Sequence, residues 1–104
     1  MQVVSVDLFR VPEKSKAAFQ DYSNTVQNLI KGIAGLVEAF SYAKTNGDSV
    51  HSYITIAVWE SEETFESAGK VLWSAFQRQG LNPQATLDTL RVKKIRSEYT
   101  RSPF

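Results

Sequence analysis

The sequence of 104 residues contains no cysteine and only one histidine. The lack of cysteine excludes a disulfide framework and thiolate chemistry, and it fits an intracellular setting. No apolar run approaches the roughly 18 to 20 residues that a membrane span requires, and the first residues lack the basic and apolar regions of a signal peptide. We therefore expect a soluble, cytoplasmic protein.

An excess of charge of either sign is also missing. Twelve Lys and Arg stand against eleven Asp and Glu, which leaves a net charge of +1. A net charge this small creates no long-range field that would attract nucleic acid or an anionic membrane. We expect neither of them as a partner.

Sequence motifs for metals and cofactors are absent as well. One histidine without any cysteine, His-x-x-x-His motif or paired carboxylates does not predict a zinc or iron site. Gly32 and Gly35 follow a predicted helix instead of joining a strand to a helix, so no loop suits a nucleotide phosphate. We expect neither a metal nor another cofactor.

The residues that are present suit one globular domain over residues 1–104. Hydrophobic residues make up 42% of the chain and aromatic residues 12%, enough for a core with some aromatic surface left over. The apolar periodicity and the turn residues predict the order β-α-β-β-α-β, a ferredoxin-like α+β fold with both helices on one face of a four-stranded antiparallel sheet. We predict strands over 3–11, 36–44, 50–59 and 89–100, with a turn at Asn46-Gly47-Asp48 between the second and third. The first helix begins at Pro12 and ends at Gly32 and Gly35. The second begins after Ser61 and ends at Gly80, and a short third helix covers 83–88.

The first and third predicted strands carry apolar side chains on both faces. In the first strand Val4, Val6 and Leu8 alternate with a second set that includes Val3 and Phe9. A sheet with one face in water normally shows polar side chains on that face. We therefore predict a homodimer in which the sheets of two copies pack face to face as a barrel.

The stretch from Tyr53 to Phe65 joins a predicted strand directly to a helix. Ser61 can accept a hydrogen bond from the first free amides of the helix, and the two glutamates that follow suit the positive end of its dipole. Because the strand continues into the helix without a loop, we expect Trp59 and Phe65 to meet at one end of a cavity between sheet and helices. Such a corner can hold a flat, apolar small molecule, or it can be an ordinary part of the core.

The same stretch carries a resemblance to a known family. A strand ending in Trp-Glu-Ser and followed by Glu-Glu-x-Phe resembles the antibiotic biosynthesis monooxygenase (ABM) family of dimeric α+β barrels. Residues 4–11 followed by Pro12-Glu13 are similar to the family's first strand and helix, and Gly35-Leu36-Val37 is similar to the beginning of its second strand. The resemblance covers about residues 3 to 100 and implies the barrel dimer.

The resemblance also implies a type of chemistry. In the cofactor-free oxygenases of the family, an electron-rich phenolic substrate supplies the electrons that activate oxygen, and the protein supplies an apolar, oriented pocket. The haem-degrading branch needs a Trp and a His on the second helix, where this sequence has Ala68 and Arg78. The resemblance therefore does not extend to haem cleavage.

We identify His51, Tyr53 and Trp59 as candidate catalytic residues. His51 is the side chain whose ordinary pKa, about 6.5, suits a general base at neutral pH, and the alternative is a surface position beside the hairpin. Tyr53 shares its face of the strand and can donate a hydrogen bond to a phenol or quinone oxygen, or it can be a core residue with its hydroxyl at the rim. Trp59 can stack on a substrate as well as pack.

The candidate substrate-binding residues are Asp7, Phe9, Tyr22, Phe65 and Trp73. The four aromatic residues would form the walls of the cavity. Asp7 lies in the middle of a strand covered on both faces, so its carboxylate needs a partner. The basic residues of the fourth strand, Arg91, Lys93, Lys94 and Arg96, can supply that partner, bind an anionic substrate, or protect the edge of the sheet from pairing.

The sequence thus favours a cofactor-independent monooxygenase that acts on a small aromatic or quinol-type metabolite. The alternative is a non-catalytic small-molecule-binding or stress-response dimer of the same fold, for which an aromatic pocket without a committed base is the expected composition. A ligand-sensing regulator is disfavoured because the sequence shows neither a DNA-binding helix pair nor a basic excess.

Overall fold

The elements of the fold follow the predicted order. The structure is a computed structural model that describes residues 1–47 and 51–102. The end of the predicted turn at Asp48, the predicted first residue of the third strand, Val50, and the last two residues of the chain lie outside the described residues. The observed elements are β1 (Val3–Arg10), a 3-10 turn (Glu13–Ser15), α1 (Lys16–Ile30), β2 (Leu36–Ala43), β3 (Tyr53–Trp59), α2 (Glu62–Arg78), α3 (Pro83–Thr89) and β4 (Lys93–Thr100).

The four strands form one antiparallel sheet in the order β2-β3-β1-β4. In β1, Val3 lies opposite Trp59 of β3, and Asp7 lies opposite Arg96 of β4. Side chains from α1 and α2 face the same side of this sheet across a shared cavity. The prediction of a ferredoxin-like α+β fold is confirmed.

Local hydrogen bonds explain where the helices begin. The side chain of Ser61 accepts from the backbone N–H of Thr64 at 3.1 Å, and the hydroxyl of Thr64 accepts from the backbone N–H of Ser61 at the same distance. This reciprocal capping fixes the start of α2, as predicted. Asn82 caps α3, because its side-chain oxygen accepts from the backbone N–H of Ala85 at 3.1 Å.

Two predicted boundaries are wrong. The first helix does not begin at Pro12, whose ψ of 146° is extended; a 3-10 turn follows it and α1 starts at Lys16. The fourth strand starts at Lys93 and not at Thr89, because α3 extends through Thr89 and Arg91 then takes a positive φ of 58° that turns the chain. Both differences arise from turn geometry that apolar periodicity does not report.

One end of the domain is closed by a compact core. Phe19 of α1 is 1% exposed and packs against Phe9 with a ring-centroid distance of 4.9 Å. Leu87 and Val92, from α3 and the residues just before β4, belong to the same buried cluster. This cluster anchors α1 and α3 to the sheet, and its members Phe9 and Phe19 also border the cavity described below.

The sheet face that points away from the helices is apolar and uncovered. Its outer side chains are about half exposed, among them Ile95 at 51% and Tyr99 at 55%. Because directly paired residues share a face, the strand register identifies the apolar side chains on this face, which also carries the polar residues Glu38, Lys93 and Ser97. We call this surface the open face; it consists of Val4, Val6, Leu8, Phe40, Tyr42, Ile54, Ile56, Val58, Ile95 and Tyr99.

A membrane-spanning helix is not found among the described residues, since none of their helices combines the necessary length with sufficient apolar character.

The close approach of Gly35 to Thr64 is a testable feature of this fold. Gly35 has a φ of 92°, and a Cβ atom there would overlap the Thr64 side chain at the start of α2. We expect Gly35→Ala to lower the free energy of unfolding by about 2 to 5 kcal/mol, the sum of left-handed strain and overpacking. Urea unfolding measures this loss.

Gly80→Ala is the matched control. Gly80 also has a positive φ, 67°, but a Cβ atom there has no neighbour within 4 Å among the described residues. We expect it to lose only the strain contribution of about 1 to 2 kcal/mol. Equal losses for the two variants would contradict the close packing of Gly35 on Thr64.

Candidate functional site

A cavity of about 340 Å³ lies between the sheet and the two long helices. Its volume is at the lower end of the range of small-molecule sites. Small residues account for the open space: Ser5 and Ala57 on the sheet and Ala68 and Gly69 on α2 all line it. Interiors normally pack without such gaps, and an unfilled one lowers stability. A cavity of this size is therefore a candidate ligand site.

Trp59 forms the wall at one end of the cavity. Its indole is 5% exposed and packs against Phe65 with ring centroids 6.2 Å apart, as the sequence predicts for this corner. The Nε1–H of the indole is buried and has no hydrogen-bond partner among the described residues. Since buried donors are nearly always paired in folded proteins, this unpaired N–H marks Trp59 as a candidate contact for a ligand oxygen.

The opposite part of the cavity is polar because of an ion pair. Asp7 of β1 is directly opposite Arg96 of β4, and both side chains line the cavity. Nε of Arg96 lies 2.7 Å from Oδ1 of Asp7, and a terminal guanidinium nitrogen lies 2.8 Å from Oδ2. The side chain of Asp7 is only 12% exposed. The partner that the sequence required for Asp7 is thus Arg96, in a bidentate arrangement.

Two further ionisable groups border this polar region. Burial raises the pKa of Tyr22, and the negative charge of Asp7 adds to the effect, so the phenol stays protonated and can donate at neutral pH. Burial also lowers the pKa of Lys94, with a further contribution from the positive charge of Arg96. The hydrogen bond to Asp7 raises the pKa of Arg96.

The structure brings five of the sequence-predicted site residues to this cavity. They come from β1, α1, β3 and α2, and they are Asp7, Phe9, Tyr22, Trp59 and Phe65. Residues that the sequence analysis did not assign to the site complete the apolar wall, among them Val26, Ile30, Leu72 and Phe76. The apolar stripe of each helix was the available signal for these positions.

His51 and Tyr53 lie in a different place. They line a second groove, together with Leu8, Lys44 and Asn46. The Tyr53 ring packs against Phe19 with centroids 5.1 Å apart, and its oxygen accepts a hydrogen bond from the side-chain amide of Gln20 at 3.2 Å. The structure therefore does not bring these two side chains together with Trp59.

The prediction that Trp73 forms part of the cavity wall is wrong. Its side chain is 57% exposed and is not part of the cavity wall. At about 100° per residue, Trp73 points roughly 80° away from Phe65, whereas Phe76 returns to within roughly 20° of it. The buried stripe of α2 is therefore narrow, and Trp73 lies outside it.

Within residues 1–47 and 51–102, no group of three or more His, Cys, Asp or Glu side chains is arranged to hold a metal ion. The polar and charged side chains of the cavity wall include Tyr22, Trp59, Glu66, Lys94 and the Asp7–Arg96 pair.

Comparisons with known proteins place this geometry among solved structures. No protein-family model and no curated protein matches the sequence. A SnoaB variant from Streptomyces nogalater, described as a cofactor-independent oxygenase, is 23% identical, with 99% of this chain and 95% of that chain covered and a TM-score of 0.72. The chain has the same fold.

Two other solved structures extend the comparison. A variant of MhuD with two manganese protoporphyrin IX molecules bound per active site is 16% identical over 95% of this chain and 93% of that chain, with a TM-score of 0.73. A dimeric ferredoxin-like protein from an uncultured marine organism is 17% identical over 94% and 92%, with a TM-score of 0.72. These likenesses confirm the ferredoxin-like α+β fold.

The ion pair in the cavity yields a prediction about stability. Asp7→Asn keeps the shape of the side chain but removes the charge that Arg96 binds. We expect a loss of about 1 to 2 kcal/mol in the free energy of unfolding, reduced from the value of a fully buried pair because the Arg96 side chain is 48% exposed. Asp21→Asn, an exposed position on α1, is the control and should change stability by less than about 0.5 kcal/mol. Equal stability of both variants in urea would show that the pair contributes nothing.

Proposed function

We propose that the protein is a cofactor-independent monooxygenase that oxidises a small aromatic or quinol-type metabolite in the cavity between sheet and helices. The observation that carries the proposal is the buried indole N–H of Trp59, which has no partner among the described residues and belongs to a side chain of the mostly apolar cavity wall. A donor in that position suits the oxygen atom of a phenol or quinone. An apolar ligand without an acceptor would leave it unsatisfied.

The chemistry needs no electron source besides the substrate. An ionised hydroquinone transfers electrons to O₂, and a bond forms between a ring carbon and oxygen. The O–O bond then breaks, so that the substrate becomes a hydroxyquinone and the second oxygen atom leaves as water. The protein would exclude bulk water, orient the ring against Phe65 and stabilise the charge that develops on oxygen through the indole N–H.

The structural neighbours support this choice of reaction. SnoaB, described as a cofactor-independent oxygenase, is matched over nearly its whole length. MhuD binds a porphyrin analogue, so a flat ring system is a suitable ligand for a protein of this fold. Haem cleavage is a poor candidate reaction, because this chain has Ala68 and Arg78 where the haem-degrading branch of the family needs a Trp and a His.

A second copy of the chain is the proposed partner. The open face exposes four large side chains to about half of their area: Phe40, Tyr42, Ile95 and Tyr99. An apolar patch of this kind on a soluble protein marks an interaction surface. A neighbour of the same fold is described as dimeric, which supports pairing of two open faces.

The dimer leads to a prediction with a matched control. Light scattering at micromolar concentration should give twice the mass of 11.7 kDa, with an interface above about 1,200 Å² in total. Ile95→Lys places a charge on the open face and should shift the mass toward the monomer. Val71→Lys changes an equally exposed residue on α2, 50% against 51%, and should leave the dimer intact. A monomeric wild type would refute the proposal.

Oxygen uptake with a panel of hydroquinones tests the reaction itself. Trp59→Phe removes the N–H and keeps an aromatic ring, whereas Trp59→Ala would also empty the core and destabilise the fold by about 3 to 5 kcal/mol. We expect Trp59→Phe to lower turnover about a hundredfold, the effect of losing one positioned donor. Trp73→Phe, outside the cavity, is the control and should retain activity. Full turnover by Trp59→Phe would contradict the proposed role.

The same assay tests the two candidate proton-transfer residues. If the proton passes through His51 or Tyr53, then His51→Asn or Tyr53→Phe lowers turnover by roughly a hundredfold with little change in melting temperature. Unchanged turnover in both variants assigns proton transfer to the polar groups of the cavity. Binding of aromatic ligands without oxygen uptake by any substrate would favour the non-catalytic binding dimer.

A further inference from the structure

Two basic side chains of β4 face the cavity. Lys94 lies opposite Phe9 and Arg96 lies opposite Asp7, and paired residues share a face of the sheet. Both side chains therefore belong to the helix side, and both line the cavity. Lys93, the residue before them, points to the opposite face.

The two cations differ in their surroundings. Arg96 binds both carboxylate oxygens of Asp7, so these two charges neutralise each other locally. Lys94 forms no hydrogen bond and no ion pair with any residue of 1–47 and 51–102. The polar region of the cavity thus has an unpaired positive charge beside a neutralised pair.

The remaining acidic side chain of the cavity wall is too far along the sheet to neutralise Lys94. Glu66 follows Phe65, which packs against Trp59 at the level of Val3. Lys94 lies at the level of Phe9, six residues further along β1. At about 3.3 Å per residue, these levels are roughly 20 Å apart. The cavity therefore has an indole donor at one end and an uncompensated ammonium group toward the other.

We infer that the cavity binds its aromatic ligand as an anion, with an ionised oxygen group, a carboxylate or an acidic phenol, held by the ammonium group of Lys94. The apolar and aromatic wall between the two ends contacts the rings. The inference rests on the proposed role of the cavity as the binding site of an aromatic metabolite, but it does not depend on turnover.

Calorimetric titration of the full-length protein with two isosteric probes tests the inference. 2-Naphthoate carries the charge, and 2-naphthamide has the same shape without it. At neutral pH we expect 2-naphthoate to bind about tenfold more tightly, the difference between a charge-assisted and a neutral hydrogen bond. A second pair of probes tests an acidic hydroxyl group in place of the carboxylate. We compare the affinity for 2-hydroxy-1,4-naphthoquinone, which is an anion at neutral pH, with the affinity for neutral 1,4-naphthoquinone.

Variants on the two faces of β4 show whether the preference for the anion depends on Lys94. Lys94→Met should abolish the preference for the anion and leave the affinity for 2-naphthamide unchanged, and Lys94→Arg should retain the preference. Lys93→Met removes the same charge from the opposite face and should behave as wild type. Melting curves establish that each variant is folded.

Several results would overturn the inference. They are equal affinity of the wild type for 2-naphthoate and 2-naphthamide, a preference that survives Lys94→Met, or a preference lost to the same degree in Lys93→Met. Binding of neither probe would overturn the proposed binding role of the cavity as well. A preference that depends on Lys94, found together with no oxygen uptake on any hydroquinone, would support the inference and refute the oxygenase.

Discussion

The central position of β1 is the constraint on which the rest of the structure depends. The strand pairs with β3 on one side and β4 on the other, so its side chains have only the two faces of the sheet available. Val4, Val6 and Leu8 lie on one face, and Phe9 lies on the other with Asp7. Both faces must be shielded from water. The helices cover one of them, and the apolar character of the other is the physical reason for proposing a second copy of the chain.

The cavity exists because the helix side of the sheet is filled unevenly. Large aromatic groups occupy the corner of Trp59 and Phe65 and the core around Phe19, whereas small residues such as Ser5 and Ala68 lie between them. Helices held apart by the large groups cannot collapse onto the small ones. The resulting space lowers stability by itself. A ligand that fills it and accepts a hydrogen bond from the indole would restore both packing and hydrogen bonding.

The charged side chains of the cavity are not distributed evenly along it. The bidentate pair of Asp7 and Arg96 allows a carboxylate to lie almost fully buried in the sheet, and it holds the guanidinium away from other partners. Lys94 is then the cation that can bind an anionic group of a ligand. In the proposed site, an ammonium group beside an apolar wall favours aromatic molecules that carry an ionised oxygen group. This distribution links the proposed reaction to a particular class of substrate.

The sequence by itself determined the order of the elements, the cap of Ser61 on α2 and the corner between Trp59 and Phe65, because each depends on residues close together in the chain or on simple periodicity. It also indicated that Asp7 needs a basic partner. Only the tertiary structure decided that Arg96 is this partner, that Lys94 has none among the described residues, and that His51 and Tyr53 line another groove. Those outcomes depend on strand register, where a shift of one residue reverses the face of every side chain. The exposure of Trp73 was likewise decided by how narrow a stripe α2 buries, which periodicity alone does not define.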